Sequence, residues 1–392
     1  MRRPTITDVA RQAGVSKGAV SYALNGQPGV SESTRARILA IAEEIGWRPN
    51  SAARALNGAR ANTVGLVLCR PARALGMEPF FVTPPLPEGS GFSPPPVEVG
   101  DGQALTVSTT ETATGRRPTC RVNPAALSLG TLELISGIES ELSARSYALT
   151  LQVVADHRQE VSVYRRWWAE GRVDGAILVD LHVDDPRIPE FEALDLPAVV
   201  VGHPSGSGSL VSVWSDDDGA VRETVRYLAA LGHRRIARVA GLPRLLHTVL
   251  RDRAFAQACE GVAEHVTVHT DYTGEEGARA TRRLLSSADR PTAIVYDNDI
   301  MAVAGLSAAQ DLRLDIPGDL SIVAWDDSPL SRVVRPPLTA LSRDISAYGA
   351  HAARRLLALV TGEAGEEAGP YEDEIARLTP RASTAPPPSE AP

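Results

Sequence analysis

The 392-residue chain has three cysteines, Cys69, Cys120 and Cys259, and a single lysine, Lys17. Thiols so few and so far apart build no disulfide framework, and no metal site is expected from them. No apolar run approaches the roughly 20 residues of a membrane-spanning helix, so no membrane partner is expected. The opening MRRPTITDVA is basic but has no apolar stretch behind it and does not read as a secretory signal. A soluble cytoplasmic protein is expected. The chain also lacks a Walker-type phosphate loop, a Gly-x-Ser-x-Gly elbow and clustered histidines, the sequence marks of several enzyme classes. Two acidic clusters, Asp216-Asp217-Asp218 and Asp326-Asp327, leave a metal-dependent enzyme as an alternative. Acidic residues at strand ends also cap helices, and that reading is preferred. No catalytic residue and no cofactor are assigned.

What is present is an uneven charge. The formal charge is −8, yet residues 1–62 carry nine basic groups against four acidic ones, a net of +5, which leaves −13 for the remainder. A basic head on an acidic body fits a phosphate-binding module joined to a soluble domain. The head contains TITDVARQAGVSKGAVSYALNG, residues 5–26. Ile6, Val9, Ala10 and Ala13 share one helical face, and Thr5 with Asp8 three residues on predicts a capped first turn. Gly14 permits the left-handed backbone that ends a helix, and Ser16 is placed to cap the next. In that second helix Ala19, Val20, Ala23 and Leu24 face inward, while Lys17, Gly18, Ser21 and Tyr22 face outward. This is a helix-turn-helix pattern, whose second helix fits the major groove, where base edges differ between base pairs.

Ser31 opens a third helix with Ile38, Ile41, Ala42 and Ile45 on one stripe, closed by Gly46. SAARALNG, residues 51–58, is helical in composition but too short to be stable alone. From Asn62 onward, continuous apolar runs alternate with helical stretches: 63–69, 148–154, 173–180, 197–202, 234–241, 291–297 and 320–325. Such alternation predicts doubly wound parallel sheets with helices on both faces and ligands at the strand ends. Residues 82–127 do not fit, since eight prolines, five glycines and ten serines or threonines make up half of 46 residues. The segment reads as a disordered insertion, and 381–392 as a disordered tail.

With these parts in order the chain resembles the LacI family of bacterial transcriptional regulators. The residues that carry the likeness are TITDVARQAGVSKGAVSYALNG, VSESTRARILAIAEEIGWRPNSAARAL, LGHRRIARVAG, RPTAIVYDNDIMAVAG, IPGDLSIVAWDDSPL and PPLTALSRD, spread over nearly the whole chain except 82–127 and the tail. The resemblance implies a fold of α plus α/β type: a three-helix headpiece (1–49), a hinge helix and linker (50–61), and a two-lobed, periplasmic-binding-protein-like core (62–380). The first lobe is expected at about 62–213 plus 321–344, and the second at about 214–320 plus 345–380.

The resemblance also implies roles. Lys17, Gly18 and Tyr22 occupy base-reading positions; many family members have arginine in place of Tyr22 and a larger polar residue in place of Gly18. Ser16, Ser21, Asn25 and Thr34 are placed for phosphate contacts, which set register without reading sequence, and Thr5 and Asn50 are also counted among the DNA-binding residues. In the hinge, Leu56 would wedge into the minor groove beside Ala53. Phe80, Phe81, Arg251, Asn298, Trp325 and Asp326 map to the effector site, with His203 and Trp214 as further candidates. A guanidinium, an amide and a carboxylate together suit the vicinal hydroxyls of a sugar. The expected protein is a homodimeric repressor on a palindromic operator, its DNA affinity switched by a carbohydrate between the lobes. The alternatives are a DNA-binding regulator indifferent to effectors and a sugar-binding protein without DNA function.

Overall fold

A computed structural model describes residues 4–24, 28–45, 60–69, 128–154, 156–363 and 370–388. The expectations for Asn25, Gly46, Asn50, the 51–58 hinge with Ala53 and Leu56, Phe80, Phe81 and the 82–127 insertion lie outside the described residues.

Three helices form the headpiece: α1 (Ile6–Ala13), α2 (Lys17–Leu24) and α3 (Glu32–Glu44). Their inward faces are those the sequence periodicity marked. Val9, Val20 and Ile38 are fully buried, with Ala10, Ala13, Ala23 and Ala42 between them and Ile6, Leu24, Ile41 and Ile45 packed around. The Asp8 carboxylate accepts the Thr5 backbone N–H at 2.8 Å and the Thr5 hydroxyl at 2.6 Å, which fixes the first turn of α1. Gly14 takes the left-handed conformation (φ 64°) that ends α1, and the sharp turn to α2 depends on it.

The core holds two six-stranded sheets. The first has the order β11-β5-β4-β3-β1-β2 and is parallel throughout; its strands are β1 (Thr63–Cys69), β2 (Ala148–Val154), β3 (Gly175–Leu178), β4 (Ala198–Val201), β5 (Val211–Trp214) and β11 (Tyr371–Glu372). The second has the order β12-β10-β9-β8-β6-β7. It comprises β6 (Arg235–Ala240), β7 (Glu264–His269), β8 (Ala293–Tyr296), β9 (Ser321–Trp325), β10 (Thr339–Ser342) and an antiparallel edge, β12 (Arg377–Thr379). Around the first sheet lie α4 (Leu129–Ala144), α5 (His157–Ala169) and α6 (Arg187–Leu194). Around the second lie α7 (Asp217–Leu231), α8 (Leu246–Cys259), α9 (Gly274–Leu285), α10 (Asp299–Asp311) and α11 (Pro329–Val333), and α12 (Ile345–Thr361) follows. Short apolar strands such as GAIL and AIVY are buried on both faces, as parallel sheets covered by helices require.

Sheet membership corrects the expected lobe division. Residues 321–342, assigned to the first lobe, form β9 and β10 of the second sheet; α12, assigned to the second lobe, packs on the first. Two glycines account for the latter. A Cβ at Gly137 on α4 would lie 1.8 Å from the Ser346 carbonyl oxygen, and one at Gly349 on α12 would lie 2.3 Å from that of Leu134. The two helices therefore touch backbone to backbone, and Tyr348, Ala352, Ala353, Leu356 and Leu357 join Val64, Leu66 and Leu68 in one apolar cluster. The crossing at Arg343-Asp344 carries no glycine or proline, so nothing in the local sequence marks it.

The tail is a second correction, because residues 381–388 are docked on the second lobe. Ser383 is fully buried: its hydroxyl donates to the Ile322 carbonyl at 2.6 Å and accepts the Thr339 N–H at 2.8 Å. The Ala385 N–H donates to Ser321 Oγ, and the Thr384 and Tyr227 hydroxyls are 2.7 Å apart. The small polar residues that give the tail a loop-like composition are the ones making these bonds.

Candidate functional site: headpiece face and interlobe cleft

On the headpiece, Lys17, Gly18 and Tyr22 all stand on the exposed side of α2, with Tyr22 47% accessible. A side chain at Gly18 would meet only Ser16 Oγ, at 3.7 Å, so packing within the headpiece does not require glycine there. Ser16 caps α2, its Oγ accepting the Ala19 N–H at 3.1 Å. The Thr34 hydroxyl is hydrogen-bonded to Ser31 Oγ at 2.8 Å, and Ser31 caps α3. Ser21 is half-buried on the same helix as Tyr22. Of the expected DNA-facing residues, Lys17, Gly18 and Tyr22 thus share one open face, whereas Thr5, Ser16 and Thr34 have polar atoms engaged in capping.

Between the lobes lies a cavity of about 1610 Å³. Its first-lobe wall includes Cys69, His157, His182, His203 and Trp214; its second-lobe wall includes His247, Arg251, Tyr272, Asn298, Trp325 and Asp326. Arg343 and Tyr348 line it at the crossing segment. The lobes are also joined directly across it. Residues 181–183 and 244–246 form a short antiparallel bridge, with Val183 N–H donating to the Arg244 carbonyl at 3.1 Å and Leu246 N–H to that of Leu181 at 2.8 Å.

Arg251 and Trp325 form the centre of the second-lobe wall. The guanidinium lies 3.6 Å from the Trp325 ring centroid, and its Nε and terminal nitrogen reach Asp217 Oδ2 at 2.8 and 2.7 Å. Burial would raise the Asp217 carboxyl, but Arg251, with Arg343 and His247 beyond it, holds it below the usual carboxylate range. Arg251 is thereby kept charged and planar against the indole, a platform of the kind that takes a ring face. His247 is pushed down to about 4 by burial, with Arg251 as the next cause, so it is neutral at pH 7 and hydrogen-bonds the Tyr272 hydroxyl at 2.8 Å.

Asp326, at the end of β9, adopts a left-handed backbone (φ 70°), a conformation aspartate tolerates better than most residues. Its Oδ2 points across the cleft toward the first turn of α4, where a Cβ at Gly130 would lie 3.6 Å away. Burial raises its carboxyl above the ordinary value, partly countered by Arg343 and Arg251. Asn298 also lines the cleft, yet both ends of its amide serve the fold. Oδ1 caps α10 through the Met301 N–H at 2.8 Å, and Nδ2 donates to the Tyr272 carbonyl at 3.0 Å.

Sequence reading missed Asp217 as the partner of Arg251, assigning it only to an acidic cluster; Asp216 does cap α7, as expected, through the Gly219 N–H. His247 and Tyr272 also went unnoticed, since neither belongs to a motif and only the fold brings them to the cleft; Arg343 lies within PPLTALSRD but was not singled out. Arg343 Nε and Trp325 Nε1 are buried without a hydrogen-bond partner among the described residues. His203 and Trp214, flagged as further candidates, pack edge to face at 4.8 Å on the opposite wall. Histidines judged unclustered also come together, with His157 and His182 Nε2 atoms 2.9 Å apart.

Comparison with known proteins agrees with this architecture. A profile for bacterial regulatory proteins of the lacI family matches residues 5–50, and one for a periplasmic binding protein-like domain matches residues 225–384. The HTH-type transcriptional regulator CelR of Thermobifida fusca is 30% identical over 371 residues, covering 93% of this chain and 94% of that protein. A LacI family transcriptional regulator from Bifidobacterium animalis subsp. lactis superposes with a TM-score of 0.66 at 34% identity, over 84% of this chain and 100% of the other. A transcriptional regulator CelR–cellobiose complex does so with a TM-score of 0.63 at 26% identity, over 97% and 100%. No helix among the described residues is long and apolar enough to cross a membrane. A helix-turn-helix headpiece, two parallel-sheet lobes around a cleft and full-length relatives of one kind lead to one conclusion: this chain belongs to the LacI family and is a DNA-binding transcriptional regulator.

Proposed function

We propose that the protein is a homodimeric, cytoplasmic repressor whose affinity for a palindromic operator is switched by a carbohydrate bound between the lobes, and that it performs no catalysis. The observation that carries this reading is the Arg251–Trp325 stack with its Asp217 partner, facing the aromatic pair His203 and Trp214 across the cavity. Aromatic and guanidinium faces suit the apolar faces of a pyranose ring, and charged groups suit its hydroxyls. Asp326 and the unpartnered Nε of Arg343 supply an acceptor and a donor. The relative solved with cellobiose supports a sugar over other small molecules.

In this reading Lys17, Gly18 and Tyr22 read base edges, and the headpiece residues Thr5, Ser16, Ser21, Asn25 and Thr34, with Asn50, border the phosphates. Ala53 and Leu56 serve the hinge, and Phe80 and Phe81 the cleft. One headpiece reads a half-site, so two are needed for a palindrome. The sugar bridges the lobes, biases their closure and so changes the spacing of the two headpieces.

Selection of DNA from a random pool, followed by binding of the enriched site against a panel of mono- and disaccharides, tests this. The expected result is a palindromic site whose affinity one sugar changes. A palindrome indifferent to every sugar would leave an effector-insensitive regulator; no enriched site would contradict the reading of the headpiece.

A further inference from the structure

Four polar side chains of the first lobe converge where β1 ends and α5 begins. Cys69 is the last residue of β1, His157 the first of α5, Glu160 lies one turn further along that helix, and His182 follows β3. A sulfur, a ring nitrogen and a carboxylate oxygen from Cys69, His157 and Glu160 all lie within 4.8 Å of one another. His157 is held from both sides: Nδ1 is 2.9 Å from Glu160 Oε2, and Nε2 is 2.9 Å from His182 Nε2. Glu160 is fully buried, and its other oxygen accepts from Arg187 at 2.7 Å. Arg187 is itself tied to Asp185 at 2.7 Å, so the Glu160 carboxylate is fixed in place before any ligand arrives. Cys69 and His157 line the interlobe cavity.

We propose that Cys69, His157 and Glu160 form a binding site for a zinc-class divalent transition ion on the first-lobe wall of the cleft, with His182 orienting the His157 ring. The donor set is one sulfur, one imidazole nitrogen and one carboxylate oxygen, the three ligand types zinc takes, and a thiolate disfavours magnesium and calcium. Ligands at about 2.0–2.3 Å on a tetrahedral ion stand roughly 3.3–3.8 Å apart, so on binding the 2.9 Å His157–Glu160 pair opens by a few tenths of an ångström and donors as much as 4.8 Å apart draw in. His157 Nδ1 and Glu160 Oε2 share a 2.9 Å hydrogen bond, and a bound cation would take the place of its proton. On metal binding the His157 Nδ1 proton and the Cys69 thiol proton leave to solvent, His157 Nε2 takes the proton that His182 Nε2 had donated, and His182 is reprotonated at Nδ1 from solvent. A fourth position is left on the cleft side for water or an oxygen of a cleft ligand. None of this depends on the sugar reading, since the site lies in one lobe.

Titration of the chelator-stripped full chain with cobalt(II) alone tests the proposal. One equivalent is expected to give the visible bands of a four-coordinate ion and a thiolate-to-cobalt charge-transfer band, both displaced by zinc. Cys69→Ser is expected to lose the charge-transfer band, whereas a variant with Cys120→Ser and Cys259→Ala keeps it. His182→Gln, which leaves all three ligands, is expected to weaken cobalt binding roughly tenfold or more. Metal-free melting curves of each variant establish that it folds. Absence of a charge-transfer band in the parent, or an undiminished band in Cys69→Ser, would overturn the site.

Discussion

Each lobe has an arginine that is almost wholly enclosed behind its cleft wall, and the two do different things. Arg187 in the first lobe and Arg238 in the second are each 1% exposed. Arg238 donates to Asp297 through two nitrogens, at 2.8 and 2.6 Å, and pairs with Asp252 through the third, and Asp297 in turn accepts the Gly241 N–H at 3.2 Å. The network ties together the ends of β6 and β8 and so fixes the loops that carry Leu242 and Asn298 into the cleft. Arg187 instead holds Asp185 and Glu160, and Glu160 leads to His157, His182 and the neighbouring Cys69. One wall is therefore set by ion pairs among Arg238, Asp297 and Asp252. In the other, the Arg187 ion pairs lead on to the imidazole and thiol groups of His157, His182 and Cys69.

The sharpest way to break this comparison is to remove either arginine. Arg238→Met leaves Asp297 buried without its partner and is expected to destabilise the protein by about 3–5 kcal/mol; Arg187→Met should do the same through Asp185 and Glu160. Urea or thermal unfolding measures both. An effect below about 1 kcal/mol in either would mean that the network does not hold its wall. Next in size is Gly137→Ala, whose methyl would overlap the Ser346 carbonyl. Forcing α4 and α12 apart should lower stability by about 1–3 kcal/mol, while the same change at Gly261, where a Cβ meets nothing but φ is 68°, tests backbone strain alone.

These variants bear on what the sequence reveals. Helix and strand positions follow from periodicity, because 3.6-residue and continuous apolar patterns are local. The headpiece face also follows, since Val9, Val20 and Ile38 point inward for the reason Lys17 and Tyr22 point out. Lobe membership does not follow, because what sends α12 back to the first lobe is a glycine 212 positions away (Gly349 against Gly137), a nonlocal fact. Arg251 and Trp325 are legible through resemblance, but Asp217, His247 and Tyr272 meet them only in three dimensions. Composition misled at the tail, where serine, threonine and alanine signal disorder unless each polar atom has a partner, as Ser383 has.

That docking gives the next prediction. Ser383→Ala removes two buried hydrogen bonds and is expected to cost about 1–3 kcal/mol; an unchanged melting temperature would return 381–388 to a loose tail. A pH dependence follows at similar or smaller size. Burial lowers His233, which is bonded to Thr292 Oγ1 at 2.8 Å and Ser321 Oγ at 3.0 Å. A histidine kept neutral in the folded state binds fewer protons than the unfolded chain below the ordinary value of about 6.5, so stability falls as pH drops through that value. Comparing melts at pH 7.5 and 5 should show a smaller loss for His233→Asn than for the parent. The smallest effect is expected at Gly18, where alanine should stabilise α2 by roughly 0.5–1 kcal/mol because nothing inside the headpiece needs glycine.

The central claim is that the second-lobe wall reads the effector and thereby sets DNA affinity. It is tested by fluorescence anisotropy of the selected operator, with and without the sugar that shifts it, for the parent and Arg251→Ala. The account predicts a ligand-dependent change of about 5–150-fold in the parent and none in Arg251→Ala, which should still bind the operator. An equal shift in both proteins would contradict it.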